Sequence, residues 1–110
     1  MATNGAVDRV EVHVFRLVRP YDPVRRAAAA RELDRVAAGI AGQLKGAVSS
    51  KRSLAVAGLD ARSYAIAFAG KTEEITFVLR DRREYELLCR RPARGNDAPC
   101  AELLRSFQLQ

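Results

Sequence analysis

Hydrophobic and charged residues alternate near the start of the chain. Val10, Val12 and Val14 are interleaved with arginine, glutamate and histidine, which is the period-two pattern of a half-buried strand. Apolar residues extend the pattern to about Arg19, and Pro20 ends it because proline has no N–H to donate to a neighbouring strand. The pattern therefore predicts a first strand that stops before Pro20.

A three- and four-residue spacing of apolar positions then predicts a long helix over residues 23–45. The carboxylate of Asp22 can accept hydrogen bonds from free N–H groups of the first turn, and Pro23 suits the first helical position. Gly46 is predicted to cap the other end. The apolar stripe of this helix comprises Leu33, Val36, Ala37, Ile40 and Leu44.

Short alternating runs predict four more strands, which follow a polar and mobile connector at residues 47–52. Gly70 and Lys71 are predicted to form one hairpin turn, and residues 81–83 are predicted to form the next. The four strands are predicted at residues 53–58, 62–69, 73–80 and 84–90.

The two faces of one strand indicate how the layers pack. Tyr64, Ile66 and Phe68 share one face, and the alanines at 65, 67 and 69 share the other. This pattern predicts a sheet covered on both sides, with the alanines where a helix backbone comes near. The second cover is either another subunit or a short C-terminal helix, which is predicted to start at residues 96–99 and to carry Leu103, Leu104 and Phe107.

These elements predict an α+β fold in a single domain over residues 1–110. An antiparallel sheet of about five strands, in the chain order β-α-β-β-β-β-α, is covered by one long helix and a short C-terminal helix. Residues 1–6 are expected to be disordered. No apolar run approaches the ~18 residues that are needed to span a bilayer.

The chain carries a net charge of +6, which raises the question of an anionic partner. Sixteen arginines and three lysines supply the positive charge, and most arginines have an acidic neighbour, as on a solvated mixed surface. The alternative is a basic patch that binds nucleic acid or anionic lipid. Because the aromatic residues fit core positions better than base-stacking platforms, no nucleic acid is expected as a partner. The candidate patch comprises Arg82, Arg83, Arg90, Arg91 and Arg94.

Few residues could carry catalysis or bind a metal. His13 is the only histidine, and its place in the first strand predicts a surface or sheet-edge residue rather than a catalytic base. One histidine and two cysteines do not have zinc spacing, and no glycine-rich phosphate loop is present. The carboxylate pairs Glu73/Glu74 and Glu84/Glu86 are predicted on solvated strand faces. The sequence therefore predicts no enzyme, no cofactor and no metal site.

The two cysteines allow three interpretations. Cys89 ends a strand-like run and Cys100 opens a helix-like run, so a disulfide would tie the last helix to the last strand. Such a bridge would contribute about 3 kcal/mol in the chain-entropy description and would place the protein outside the reducing cytosol. The alternatives are two buried free thiols, or a redox-active pair that lacks the usual CxxC spacing.

The C-terminal part of the chain resembles a known superfamily. Residues 54–64 (LAVAGLDARSY), 77–81 (FVLRD), 85–89 (YELLC) and 103–109 (LLRSFQL) are similar to the PsbP-like α/β/α sandwich superfamily. This superfamily includes photosystem II extrinsic proteins, a Ran-binding nuclear import factor and many bacterial exported proteins and lipoproteins. The most specific part is the last strand followed by a helix ending in Ser-Phe, with paired cysteines as in actinobacterial-type secreted members.

The resemblance implies an accessory or binding role and no shared catalytic residue. The chain departs from the family pattern because it has no Trp and lacks a further strand or hairpin at its start. Either it is a minimal member, or another subunit fills the missing edge of the sheet.

The expected function is that of a non-enzymatic module outside the cytoplasm, secreted or attached to the cell envelope, which binds a protein partner or supports an assembly. Its leader would be absent from this sequence, and an N-terminal anchor also absent from it would allow peripheral membrane association. A homodimer formed through an exposed sheet edge or face is a further hypothesis. The alternatives are the basic-surface binder described above and a small-ligand pocket between helix and sheet.

Overall fold

One antiparallel sheet of five strands and two helices form the structure. The computed structural model describes residues 9–18, 20–92 and 98–107. The prediction of an α+β fold with a five-stranded antiparallel sheet, a long helix and a short C-terminal helix is confirmed. The predicted disorder of residues 1–6 lies outside the described residues. The elements are β1 (Arg9–Arg16), a 3-10 turn (Pro23–Arg25), α1 (Arg26–Gln43), β2 (Ala47–Val56), β3 (Leu59–Phe68), β4 (Lys71–Arg80), β5 (Arg83–Pro92) and α2 (Ala98–Ser106).

The strands lie in the order β1-β5-β4-β3-β2. Strands β2 to β5 follow one another as hairpins, and β1 pairs with the last of them, with Val12 opposite Leu87. The first strand and the second strand of the chain are therefore the two edges of the sheet. No helix among the described residues is both long and apolar enough to cross a bilayer.

Each hairpin turn contains two residues, and each turn begins with a residue in the left-handed region. Ala57 and Gly58 connect β2 to β3 with φ values of 53° and 75°, and Ala69 and Gly70 connect β3 to β4 with φ values of 47° and 74°. Asp81, with φ of 50°, begins the turn from β4 to β5. The predicted turn at Gly70 and Lys71 is therefore wrong by one residue. In the first two turns glycine takes the second position and alanine accepts the strained first position, whereas the third turn consists of Asp81 and Arg82.

Strand β2 begins earlier than predicted, and the mobile connector at residues 47–52 is wrong. This segment is the first half of β2, with Ala47 paired to Ala67 and a register shift between Val48 and Ser50. Its polar residues are tolerated in a strand because β2 is an edge, where much of the side-chain surface stays in water. A polar sequence therefore indicated a loop where an edge strand forms.

The start of the long helix follows the predicted chemistry. The side chain of Asp22 accepts a hydrogen bond of 3.0 Å from the Val24 N–H, and Pro23 occupies the first turn. That turn is 3-10, and the α-helix itself begins at Arg26.

The end of α1 differs from the prediction at one residue. Lys45, with φ of 58°, takes the left-handed position that was predicted for Gly46. Its N–H bonds to the Gly42 carbonyl at 3.1 Å, and the Gly46 N–H reaches the Ala41 carbonyl at 2.8 Å, which is the Schellman pattern. Gly46 is needed for a different reason, because a Cβ there would lie 2.7 Å from the Cβ of Phe68.

Helix α1 packs on the face of the sheet that carries the large residues. Leu33, Ala37 and Ala41 of the helix contact a cluster that includes Tyr64 and Ile66 of β3. The predicted contact of a helix backbone with the alanines of β3 is therefore wrong for α1. The small residues that allow close approach are on the helix, and the sheet supplies the volume. The remaining buried sheet residues of this cluster are Ile75, Phe77, Leu79 and Leu88.

Helix α2 packs on the opposite face, over one end of the sheet. Leu103, Leu104 and Phe107 contact the buried cluster there, and the rings of Tyr85 and Phe107 lie 5.6 Å apart in an edge-to-face arrangement. The buried sheet residues of this second cluster are Val56, Ala61, Val78, Tyr85 and Leu87.

Candidate functional site at the edge of the sheet

Cys89 of β5 and Cys100 of α2 lie within disulfide-bonding distance, with Cα atoms 5.7 Å apart. Both side chains are buried. Of the three interpretations of the cysteines, the geometry is that of a bonded pair, which ties α2 to the sheet. Because both sulfurs are buried and bonded to each other, the pair acts as a structural tie between α2 and β5.

The arginines of the candidate basic patch occupy two separate places. Arg82 and Arg83 lie at the turn between β4 and β5, where a guanidinium N–H of Arg82 donates to the Val18 carbonyl at 3.2 Å. Arg90 and Arg91 lie at the other end of β5, roughly 23 Å away at about 3.3 Å per residue. Arg94 lies outside the described residues.

Carboxylates accompany the second pair of arginines. Arg90 contacts Glu73 at 2.8 Å on the α1 face, and Arg91 contacts Glu74 at 3.1 Å on the α2 face. Glu73 is buried, so the prediction of a solvated strand face is wrong for it. The described arginines therefore do not form one continuous unpaired surface, and the basic patch stays a prediction.

Two hydrogen-bonded networks hold α1 and the segment before it on the sheet. The Tyr64 hydroxyl and the Arg62 guanidinium both donate to Asp34 of α1, at 2.5 Å and 2.8 Å. The Tyr21 hydroxyl and Arg26 both donate to Asp60, at 2.6 Å and 3.1 Å. Sequence analysis missed both networks because their partners are 28 to 39 residues apart along the chain.

The two networks stabilise the charged forms of Asp34 and Asp60. Hydrogen bonds from Arg62 and Tyr64 lower the pKa of Asp34 to about 2, and the hydrogen bond from Tyr21 lowers the pKa of Asp60. Burial, with the hydrogen bond to Asp34, raises the pKa of Tyr64. Because the pKa of Asp34 lies so far below 7, its carboxylate holds no proton to donate at neutral pH and is a very weak base.

A cleft of about 370 Å³ lies between α1, the segment before it and the sheet. Glu84 lines this cleft. Burial raises the pKa of Glu84 above its usual 4.5, and the nearby Glu86 adds to the rise. The Glu84 carboxylate makes no hydrogen bond or ion pair with a described residue. The predicted solvated face is therefore wrong for Glu84. The other charged lining residues are Arg25 and Glu32, and Glu32 pairs with Arg35 at 2.6 Å rather than with Glu84. The apolar lining residues include Leu17, Val18, Tyr21, Ala28, Leu33 and Leu79.

The outer edge of β1 pairs with no described residue. The Leu17 N–H donates to the Arg82 carbonyl at 2.6 Å, so the backbone at this odd-numbered position faces β5. Backbone groups alternate in direction along a strand, and those of Val10, Val12 and Val14 therefore face outward. This edge offers three consecutive hydrogen-bonding positions to another strand.

The same three valines leave an apolar row at the edge. Val10, Val12 and Val14 are opposite Cys89, Leu87 and Tyr85, so they extend the α2 face of the sheet. Their side chains remain 48 to 57% exposed. Alternation marks the row as one face of a strand, but the valine pattern by itself does not show that the strand is an edge.

The opposite face of β1 is polar. The His13 Nε2 atom lies 2.6 Å from a carboxylate oxygen of Glu11, which also contacts Arg9. The prediction of His13 as a sheet-edge residue is confirmed. Hydrogen bonds from Arg9 and from His13 lower the pKa of Glu11 to about 2, so this carboxylate is charged at neutral pH.

The two edges of the sheet differ in how they are protected. Strand β2 has a register shift between Val48 and Ser50 and carries Lys51 and Arg52 at its centre. Bulges and central cationic side chains are the usual means of preventing edge-to-edge pairing. Strand β1 has a continuous register from Arg9 to Arg16 and no bulge; its central polar residues, Glu11 and His13, are on one face, and Val10, Val12 and Val14 fill the other face. We therefore identify the β1 edge as the candidate functional site.

Comparison of the chain with protein-family models, with curated proteins and with solved structures finds no match. The resemblance to PsbP-like proteins stays a prediction.

Proposed function

We propose that this chain is a non-enzymatic module that binds a protein partner by adding a strand of the partner to the edge of β1. The observation that carries the proposal is the unprotected edge, where the outward backbone groups of Val10, Val12 and Val14 coincide with an exposed apolar row. In strand addition the backbone hydrogen bonds supply affinity, and alternate side chains supply specificity.

We also propose that the module acts outside the cytoplasm. The support is the Cys89–Cys100 pair, since structural disulfides persist in oxidising compartments. Intact-mass measurement of protein isolated from its native host, without reductant and after rapid alkylation, tests this part. A chain lighter than its reduced form by two hydrogens is expected, and a fully alkylated chain would contradict the proposed location.

Placing a photo-crosslinking amino acid in the native host tests the binding surface. Position 12 tests the edge, and position 36 is a matched control, because Val36 is a similarly exposed valine, 43% against 48%, but lies on helix α1. A discrete crosslinked species is expected from position 12 only. It should disappear when Val14→Lys is added, because a lysine there opposes strand addition.

Equal crosslinking from both positions, or none from position 12, would refute the proposed function. The mass of the crosslinked species identifies the partner, which is either a second copy of the chain or another protein. Both outcomes support strand addition at β1.

A further inference from the structure

We infer that the strand added to β1 is β1 of a second copy, in one defined register. This inference rests on the proposed function, because it names the partner of the same edge. The β1 sequence is RVEVHVFR, and an antiparallel pair can place Val12 opposite its own copy. In this register Val10 of each copy lies opposite Val14 of the other, so all three outward-facing valines meet a valine.

The backbone permits this register. Directly opposed residues of an antiparallel pair exchange hydrogen bonds when the backbone groups of both point toward the partner strand. Val10, Val12 and Val14 all point outward. Each of the three valine pairs therefore becomes a hydrogen-bonded pair, and the two sheets join into one.

The side chains on the other face favour the same register. Glu11 of one copy then lies opposite His13 of the other, and this contact occurs twice because the interface is two-fold symmetric. The exposed ring of Phe15 lies opposite Arg9, which suits a cation–π contact.

The neighbouring registers lose these contacts. A shift by two residues in one direction places Glu11 opposite its own copy, and the shift in the other direction places His13 opposite its own copy. Two Glu11 carboxylates opposite each other repel, and two His13 rings opposite each other lose their glutamate partners. An interface made by one pair of strands buries less surface than the interface of a permanent dimer, so the association is expected to be reversible.

Sedimentation velocity of the purified chain over a range of concentrations tests the inference. The unmodified chain is expected to shift from monomer to dimer as concentration rises. Val12→Lys places two lysines against each other at the two-fold axis and should abolish the dimer. Val36→Lys adds the same charge to α1 and should leave the dimer unchanged.

A charge exchange tests the register itself. Glu11→Lys alone places the new lysine opposite His13, and His13→Glu alone places two carboxylates together, so each variant should dimerise about tenfold more weakly than the unmodified chain. Mixed in equal amounts, the two variants form one lysine–glutamate contact, and the other contact is the original pairing of His13 with Glu11. The mixture should recover dimer, whereas neither variant does so by itself. Circular dichroism confirms that each variant is folded.

The outcomes separate this inference from the proposed function. A chain that remains monomeric at every concentration, or a mixture that recovers no dimer, would overturn the inferred self-pairing. If position 12 still crosslinks to a different protein, binding at the β1 edge stands without self-pairing. If neither experiment detects a partner, both proposals fail.

Discussion

Reducing the Cys89–Cys100 disulfide should lower the free energy of unfolding by an amount that follows from the length of the loop that it closes. The two cysteines are separated by 11 positions, and closing a loop of that length removes about 3 kcal/mol of conformational freedom from the unfolded chain. Reduction leaves both sulfurs in place, so packing in the buried cluster changes little. At a urea dependence of about 2 kcal/mol per molar, the unfolding midpoint should fall by about 1.5 M.

The assay is urea denaturation with and without a phosphine reductant, followed by far-ultraviolet circular dichroism. The matched control is the double variant Cys89→Ala, Cys100→Ala, whose midpoint should not respond to the reductant. Amide exchange in α2 should accelerate more than exchange in β4, because the disulfide ties α2 to β5 and leaves β4 at the centre of the sheet. A midpoint shift below about 0.3 M would refute the role of the disulfide as the fastener of α2.

Four further substitutions, two at glycines and two at carboxylates, test the packing and the partly buried charges. Gly46→Ala should lower the free energy of unfolding by about 1–3 kcal/mol, because its Cβ would collide with Phe68, whereas Gly42→Ala, with open space around it, should raise stability by about 0.5–1 kcal/mol in the same denaturation assay. Asp34→Asn should cost about 1–2 kcal/mol at pH 7. The pKa of Asp34 is lowered, so the stability that its charge contributes is present above pH 3.8 and lost as pH falls toward 2; a variant with the same acid profile as the unmodified chain would contradict this role. Glu84→Gln should stabilise the chain at pH 7, since the raised pKa of Glu84 means that its charge opposes folding. The gain should vanish as pH falls below about 4.5, where the carboxyl is neutral, and a pH-independent gain would show that burial of charge is not the cause.

The sequence contained enough local information to predict most of the fold. Period-two alternation identified the strands, and Asp22 with Pro23 located the start of the long helix. The errors occurred where local preference was overruled. Ala57 and Ala69 adopt left-handed turn positions that alanine disfavours, and they do so because two-residue hairpins require that twist.

The candidate site depends on topology, which the sequence did not determine. The valine row at Val10, Val12 and Val14 has the same pattern in an edge strand as in a central strand. Among the residues that the structure describes, β1 pairs with β5 alone, and this pairing leaves its outer backbone groups without a strand partner. The polar first half of β2 produced the opposite error, since a loop was predicted where a strand forms. An edge strand tolerates a polar composition that otherwise indicates a loop.

Amide hydrogen exchange at Val12 and His13 distinguishes a free β1 edge from an occupied one. In dilute solution we expect rapid exchange at Val12, whose N–H faces outward, and slow exchange at His13, whose N–H faces β5. At concentrations where the dimer sediments, Val12 should become protected while His13 changes little. Protection of Val12 already in the dilute monomer, or rapid exchange that persists in the dimer, would contradict a free β1 edge that receives a second strand.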